Sequence, residues 1–159
     1  MNAEELQVFY NELVDEYGEK IIALAQSLGI SLEPDFDAED YPTEDYTEEE
    51  IAEEKQNAID EVKDELNSIV NDYDNTYSYY REEYIVATDE EADEIEDEYL
   101  DNYIDECLEI PDNIRPYFDE EKWKNDARMD GRGHIIASYD GCEDEEDVNG
   151  TTYYIYRIN

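Results

Sequence analysis

Residues 84–107, YIVATDEEADEIEDEYLDNYIDEC, change their period once, and that change decides the fold class. Tyr84-Ile85-Val86-Ala87-Thr88 is a short run of β-branched and aromatic residues, the composition of a strand. From Ala92 the apolar residues recur at helical spacing through Ile95, Tyr99, Tyr103, Ile104 and Cys107. Thr88 stands at the junction with Glu91 three residues on, the pairing of a capping box, and the helix ends before Pro111. A strand feeding a capped helix predicts an α+β fold. The outer face of this helix carries Glu90, Asp93, Glu94, Asp97, Glu98, Asp101, Asp105 and Glu106, and no Lys or Arg lies between residues 82 and 114.

Upstream, Leu6, Phe9, Tyr10, Leu13, Val14 and Tyr17 form a helical stripe that Ile21, Ile22, Leu24, Ala25 and Leu28 continue. Asn2 caps its start and Gly29 closes it, while Gly18 bends the helix at about 1 kcal/mol relative to Ala. Residues 30–46 contain Pro34, Pro42 and no period, and read as a loop. A second helix begins at Thr47, where Glu50 completes a capping box. Its stripe is Ile51, Ala58, Ile59, Val62, Leu66, Ile69 and Val70, and it predicts an antiparallel pair with the first helix. Its outer face carries Glu48, Glu49, Glu53, Glu54, Asp60, Glu61, Asp64 and Glu65, offset by Lys55 and Lys63 alone.

Downstream, Pro111 and Pro116 bracket a turn, and Phe118 to Met129 form a short helix with Asp119 near its start and Trp123 inward. Gly131 and Gly133 break it. His134–Tyr139 and Thr151–Ile158 then read as alternating strands. A long acidic hairpin loop with Glu143, Asp144, Glu145, Glu146 and Asp147 joins them, and the 84–88 strand supplies a third member. The expected architecture is an N-terminal antiparallel helix pair, then a small three-stranded antiparallel sheet packed with two helices, in an elongated molecule. The break near residues 71–76 divides the chain into an acidic helical region, 1–72, and an α+β domain, 73–159.

Fifty Asp and Glu residues face ten Lys and Arg, a formal net charge of -40, yet 40% of the chain is hydrophobic. Chains of such charge are ordinarily disordered because they bury too little apolar surface. The periodic stripes place this one among folded proteins. The N-terminus is acidic and no apolar run approaches the ~18 residues of a membrane span. Cys107 and Cys142 fit two unpaired thiols in a reducing cytoplasm. Nucleic acid and anionic membranes would repel the chain, so its expected partners are basic proteins.

Nothing in the sequence points to catalysis, a metal or a cofactor. Carboxylate pairs lose specificity among fifty acids, and His134 is the only histidine. Phosphate-binding glycine motifs are missing. An EF-hand starting at Asp140 would place Cys142 at a ligand position and Glu145 where glycine is required.

The charge itself is the candidate function. Duplex DNA carries one charge per ~1.7 Å of axis, and a helix face with a carboxylate on every second residue carries one per ~3 Å. Two such helices side by side match the duplex. The plainer reading is that these acids merely solvate helix faces. A merely soluble domain, however, interleaves Lys with Glu to gain i,i+4 pairs. The candidate surface is therefore the outer faces of the second and third helices with the acidic 143–147 loop. Tyr99 and Tyr103 read as core; the cluster of Tyr73, Tyr77, Tyr79 and Tyr80, beside Arg81, reads as either core or interface aromatics.

The stretch YIVATDEEADEIEDEYLDNYIDECLEIP, then IRPYFDEEKWKNDARMDG and the terminal TTYYIYRI, resembles the C-terminal part of ArdA-like antirestriction proteins of phages and mobile elements. Ile110-Pro111, Tyr117-Phe118-Asp119 and Asp126-Ala127-Arg128 carry the resemblance, which spans about residues 84–159. It implies a non-enzymatic DNA mimic, commonly an elongated homodimer, that occupies the DNA groove of Type I restriction-modification enzymes in the bacterial host cytoplasm. Residues 1–70 depart from that family, whose N-terminal domain contains β-structure. The target could therefore be another nuclease, a methyltransferase or a CRISPR complex. The alternative is an acidic binding module or chaperone for a basic nucleoid or other DNA-binding protein.

Overall fold

A computed structural model describes all of residues 1–159. The chain is α+β, with helices α1 (Ala3–Tyr17), α2 (Glu19–Ser27) and α3 (Glu48–Asn67) preceding strands β1 (Ile69–Tyr73), β2 (Thr76–Tyr79) and β3 (Glu82–Thr88). Helices α4 (Asp89–Glu106), α5 (Glu120–Arg128) and α6 (Arg132–Ile136) follow, then β4 (Asp144–Val148) and β5 (Thr151–Arg157). One antiparallel sheet holds all five strands in the order β1-β2-β3-β5-β4.

Alternation along the strands sends neighbouring side chains to opposite faces, and helices cover both. Tyr84, Val86, Val148, Tyr153 and Ile155 pack with Phe9, Leu13, Ile22, Leu24, Val62 and Leu66 in a cluster of 16 buried residues. On the other face Ile85, Ala87 and Tyr156 pack with Ala92, Ile136 and Ala137. Helices α1–α3 thus lie on one side of the sheet, and α4 and α6 on the other. The larger core draws on both sides of residue 72, and β1 runs across that position.

Local rules place the helix starts. Asn2 with Glu5, Thr47 with Glu50 and Thr88 with Glu91 all form reciprocal capping boxes. Gly18, at φ +87°, ends α1 outright instead of bending it. Helix α2 turns back there, so that Tyr10 Oη donates to Gln26 Oε1 at 2.8 Å. The antiparallel pair is therefore α1 with α2. Helix α3 runs parallel to α1: Glu5 pairs with Lys55 at 3.4 Å and Glu16 with Lys63 at 3.0 Å, both registers advancing together. The 28–47 connection makes this possible by returning the chain to the start of α1, where the Met1 ammonium donates to the Phe36 carbonyl.

The sheet has five strands where three were expected. Ile69 and Val70 leave the α3 stripe and begin β1. The 134–139 segment is not a strand; Arg132–Ile136 is helical, close against the chain beyond it. A Cβ on Gly133 would lie 2.8 Å from the Gly141 carbonyl oxygen, so only glycine admits this approach. The acidic segment expected as a loop is instead strand β4, joined to β5 by Asn149-Gly150 with φ of +50° and +84°. Its carboxylates suit an edge strand, where charge discourages pairing with another chain.

Helix α4 buries Ala92, Glu96, Leu100 and Ile104, a strict four-residue repeat, while Tyr99, Tyr103 and Cys107 are exposed. The expected stripe was displaced around the helix because Glu96 is buried and paired. The accessible surface, 10190 Å², exceeds the roughly 8300 Å² usual for a compact monomer of 18.8 kDa.

Four tyrosine hydroxyls donate to carboxylates: Tyr79 to Glu65 and Tyr153 to Glu19 join the sheet to α3 and α2, while Tyr84 bonds Glu82 of its own strand and Tyr156 bonds Glu143. The bond to Glu65 pushes Tyr79 up to about 12; burial, then the carboxylate bond, raises the other three. A tyrosine raised above its unfolded value of about 10 contributes fully below that pH and loses its contribution as pH rises through the folded value. Stability is therefore expected to hold to about pH 10 and then fall steeply, with these phenols ionising only on unfolding. Tyrosinate absorbance followed with circular dichroism checks this. Full ionisation of all sixteen tyrosines near pH 10 in an intact fold would contradict it.

Candidate functional site

The acidic surface divides according to where the few cations go. Lys20, Lys55, Lys63, Arg115, Lys124, Arg128, Arg132 and Arg157, eight of the ten basic residues, form ion pairs. Five of them reach α4: Lys20 of α2 pairs with Glu91 at 2.8 Å, and the other four all come from the 115–132 segment.

Asp89, Asp93, Asp97, Asp101 and Asp105 stand four apart and so share one face of α4. Arg132, only 14% exposed, pairs with Asp89 at 2.8 Å, Asp93 at 3.0 Å and Glu143 at 3.0 Å. Its guanidinium also lies 4.4 Å from the Tyr154 ring centre. Burial opposes the Arg132 charge, but hydrogen bonds to Glu143 and Asp89 outweigh it and raise its pKa. Lys124 is buried between Asp97 and Asp101, and its bond to Asp101 leads in raising its pKa. Arg128 joins Asp97 at 2.6 Å to the buried Glu96 at 3.1 Å, and Arg115 reaches Asp105 at 2.6 Å. Burial pushes the Glu96 carboxyl up, with Arg128 opposing. This stripe was expected as a free anionic face; it is a clamp that holds α5 and α6 to α4. Sequence distance concealed it, since the cations lie 10 to 43 residues downstream.

Glu90, Glu94, Glu98 and Glu106 of the predicted α4 residues remain exposed and unpaired. The two expected acidic helices also cannot form one surface, because α3 and α4 lie on opposite faces of the sheet.

Helix α3 is different. Glu48, Glu49, Glu50, Glu53, Glu54, Asp60, Glu61, Asp64 and Glu65 take part in no ion pair. Lys55 and Lys63 reach back to Glu5 and Glu16 of α1 instead. Nine carboxylates along a helix of 20 residues, about 30 Å, give one charge per ~3.3 Å of axis, close to the one charge per ~3.4 Å of axis that one DNA strand carries. Ala58, Val62 and Leu66 are buried on its inner side.

The neighbouring rail is α1, parallel to α3, with Glu4, Glu12 and Asp15 exposed; the bond to Glu16 leads in raising the Lys63 pKa, and Glu12 adds to it. Sequence reasoning missed these residues because it joined the acidic face of α3 to that of α4 and set α3 antiparallel to the first helix; the Lys63 and Lys55 spacing on α3 was the available signal. Of the 143–147 group, Glu143 belongs to the Arg132 clamp and Glu146 accepts from Gln26 Nε2 at 3.3 Å. Asp147 accepts from Thr152 Oγ1 at 2.6 Å, while Asp144 and Glu145 are exposed on the sheet edge.

The tyrosine cluster separates in the same way. Tyr77 is buried in the larger core and cannot contact a partner. Tyr79 is half-buried and tied to Glu65, whereas Tyr80, at the β2–β3 turn, is 72% exposed. No helix is long and apolar enough to cross a membrane.

No protein-family model, curated protein or solved structure matches the chain. The functional reading rests on this surface.

Proposed function

We propose that the protein is a non-enzymatic DNA mimic that inhibits a bacterial host's DNA-binding defence enzyme by occupying its DNA groove. A Type I restriction-modification enzyme in the host cytoplasm is the leading target. The observation carrying this reading is the α3 rail: nine carboxylates at phosphate-like spacing with no cation of the chain spent on them. Where the fold needs its acids neutralised, at α4, it supplies Arg and Lys; at α3 it withholds them. A solvated helix would gain from i,i+4 lysines that this helix diverts to α1.

A groove lined with Lys and Arg for phosphates can accept such a rail and release its counterions as it would for DNA. Helix α1 lies beside α3, so the contact has the width of two helices, and the core behind fixes both. The α4 stripe is excluded from the contact by its own ion pairs. Titration of the protein into a Type I enzyme cleaving unmodified DNA tests the proposal. Inhibition near one equivalent, relieved by high salt, is expected; undiminished cleavage at a large excess would refute it.

A further inference from the structure

Two of the three hairpin turns use residues suited to the left-handed region. The β1–β2 turn has Asp74 at φ +43°, and the β4–β5 turn has Asn149 and Gly150 at φ +50° and +84°. The β2–β3 turn, Tyr80-Arg81, instead places Tyr80 at φ +54°. A bulky aromatic residue is disfavoured there, and strain of this kind is retained where the surroundings enforce it, often at functional positions. Burial does not compensate, since Tyr80 is 72% exposed.

The surroundings hold the ring outward. Tyr79 meets it edge-on with ring centres 4.6 Å apart, and Tyr79 is tied to α3 through Glu65. The turn thus stands beside the C-terminal end of the α3 rail. Arg81 next to it is exposed and, with Lys122, is one of two basic residues in no ion pair despite the net charge of -40.

We infer that Tyr80 and Arg81 form a specificity anchor for the α3 rail, seated on a partner surface that offers an apolar pocket with a carboxylate at its rim. This rests on the proposed function. A rail of carboxylates alone fits any cationic groove. Tyr and Arg are the residues that dominate interface energetics, and their contact is directional. Arg81 also selects negatively, because a rim made only of Lys and Arg repels it.

The test uses Y80G, Y80N and R81A in the full chain, with affinity read by displacement of labelled duplex from a purified Type I restriction-modification enzyme. Polylysine serves as a purely electrostatic partner. Gly and Asn tolerate the left-handed backbone, so Y80G and Y80N are expected to melt at or above the wild-type temperature. Their affinity for the enzyme is expected to fall by about 30-fold, the loss of an interface hot spot, with polylysine binding unchanged. R81A is expected to weaken enzyme binding as well, although it makes the protein more anionic; stronger binding by R81A would overturn the Arg81 role. Wild-type affinity in Y80G and Y80N would overturn the anchor and leave the rail standing. Failure of the wild type to displace duplex at all would overturn the rail, and the anchor with it.

Discussion

Replacing Glu49, Glu53, Glu54, Asp60, Glu61 and Asp64 with their amides is expected to abolish inhibition while leaving the protein folded. Exposed ion pairs contribute about 0.5 kcal/mol each, so six lost contacts amount to about 3 kcal/mol, or roughly 150-fold in affinity. The salt dependence of binding should flatten too, because fewer counterions are displaced. None of the six carboxylates takes part in an ion pair of the fold, and removing them relieves like-charge repulsion along α3. The melting temperature should therefore hold or rise. Amides at Asp93, Asp97 and Asp101 should do the reverse, lowering the melting temperature while changing affinity little. Equal inhibition by wild type and the six-amide variant would remove the rail from the account.

The largest stability effect is expected from Arg128→Met. Arg128 bonds Glu96, whose side chain is only 6% exposed, and its loss strands a buried carboxylate on the core face of α4. Breaking a buried pair from one side costs about 3–5 kcal/mol, equivalent to a melting point lower by roughly 6–20 °C for a chain of this size. The pH dependence has a definite sign. Burial already raises the Glu96 pKa, and removing Arg128 raises it further. A carboxyl with a raised folded pKa favours folding most below its unfolded value and loses that contribution as pH rises through the folded value. The variant's deficit should therefore shrink on acidification. Glu96→Gln combined with Arg128→Met should recover part of the loss at neutral pH. Thermal melts across pH 4.5–7 check both; a deficit independent of pH would assign the effect to lost packing of α5.

These effects turn on features that differ in how far sequence reveals them. The helix starts were legible because a capping box lies within four residues, as at Thr47-Glu50 and Thr88-Glu91. The 84–88 part of β3 was legible because its apolar run is continuous, whereas Glu82 and Glu83 at its start gave no strand signal. Strand β4 was not: Asp144-Glu145-Glu146-Asp147 has the composition of a loop, and its pairing to Tyr153 and Tyr154 makes it a strand. His134–Tyr139 read as a strand, although Arg132–Ile136 is helical, because His134-Ile135-Ile136 is too short to establish a period. At the site, the abundance of acid on α3 was plain, and so was the shortage of cations. Which acids the cations neutralise is set by tertiary contacts such as Arg132 with Asp89, 43 residues apart, and no local pattern encodes that choice. The same holds for the layer order that separates α3 from α4 and joins α3 to α1.

The central claim is that the α3 and α1 surface takes the place of a duplex in an enzyme's groove. Equilibrium competition measures it most directly, with labelled recognition-site DNA pre-bound to a Type I restriction-modification enzyme and the protein titrated in at moderate salt. The account predicts mutually exclusive binding, with DNA released at near-stoichiometric protein and the six-amide variant ineffective. A ternary complex of enzyme, DNA and protein, or transfer of the enzyme onto DNA as an acidic chaperone would promote, would contradict it.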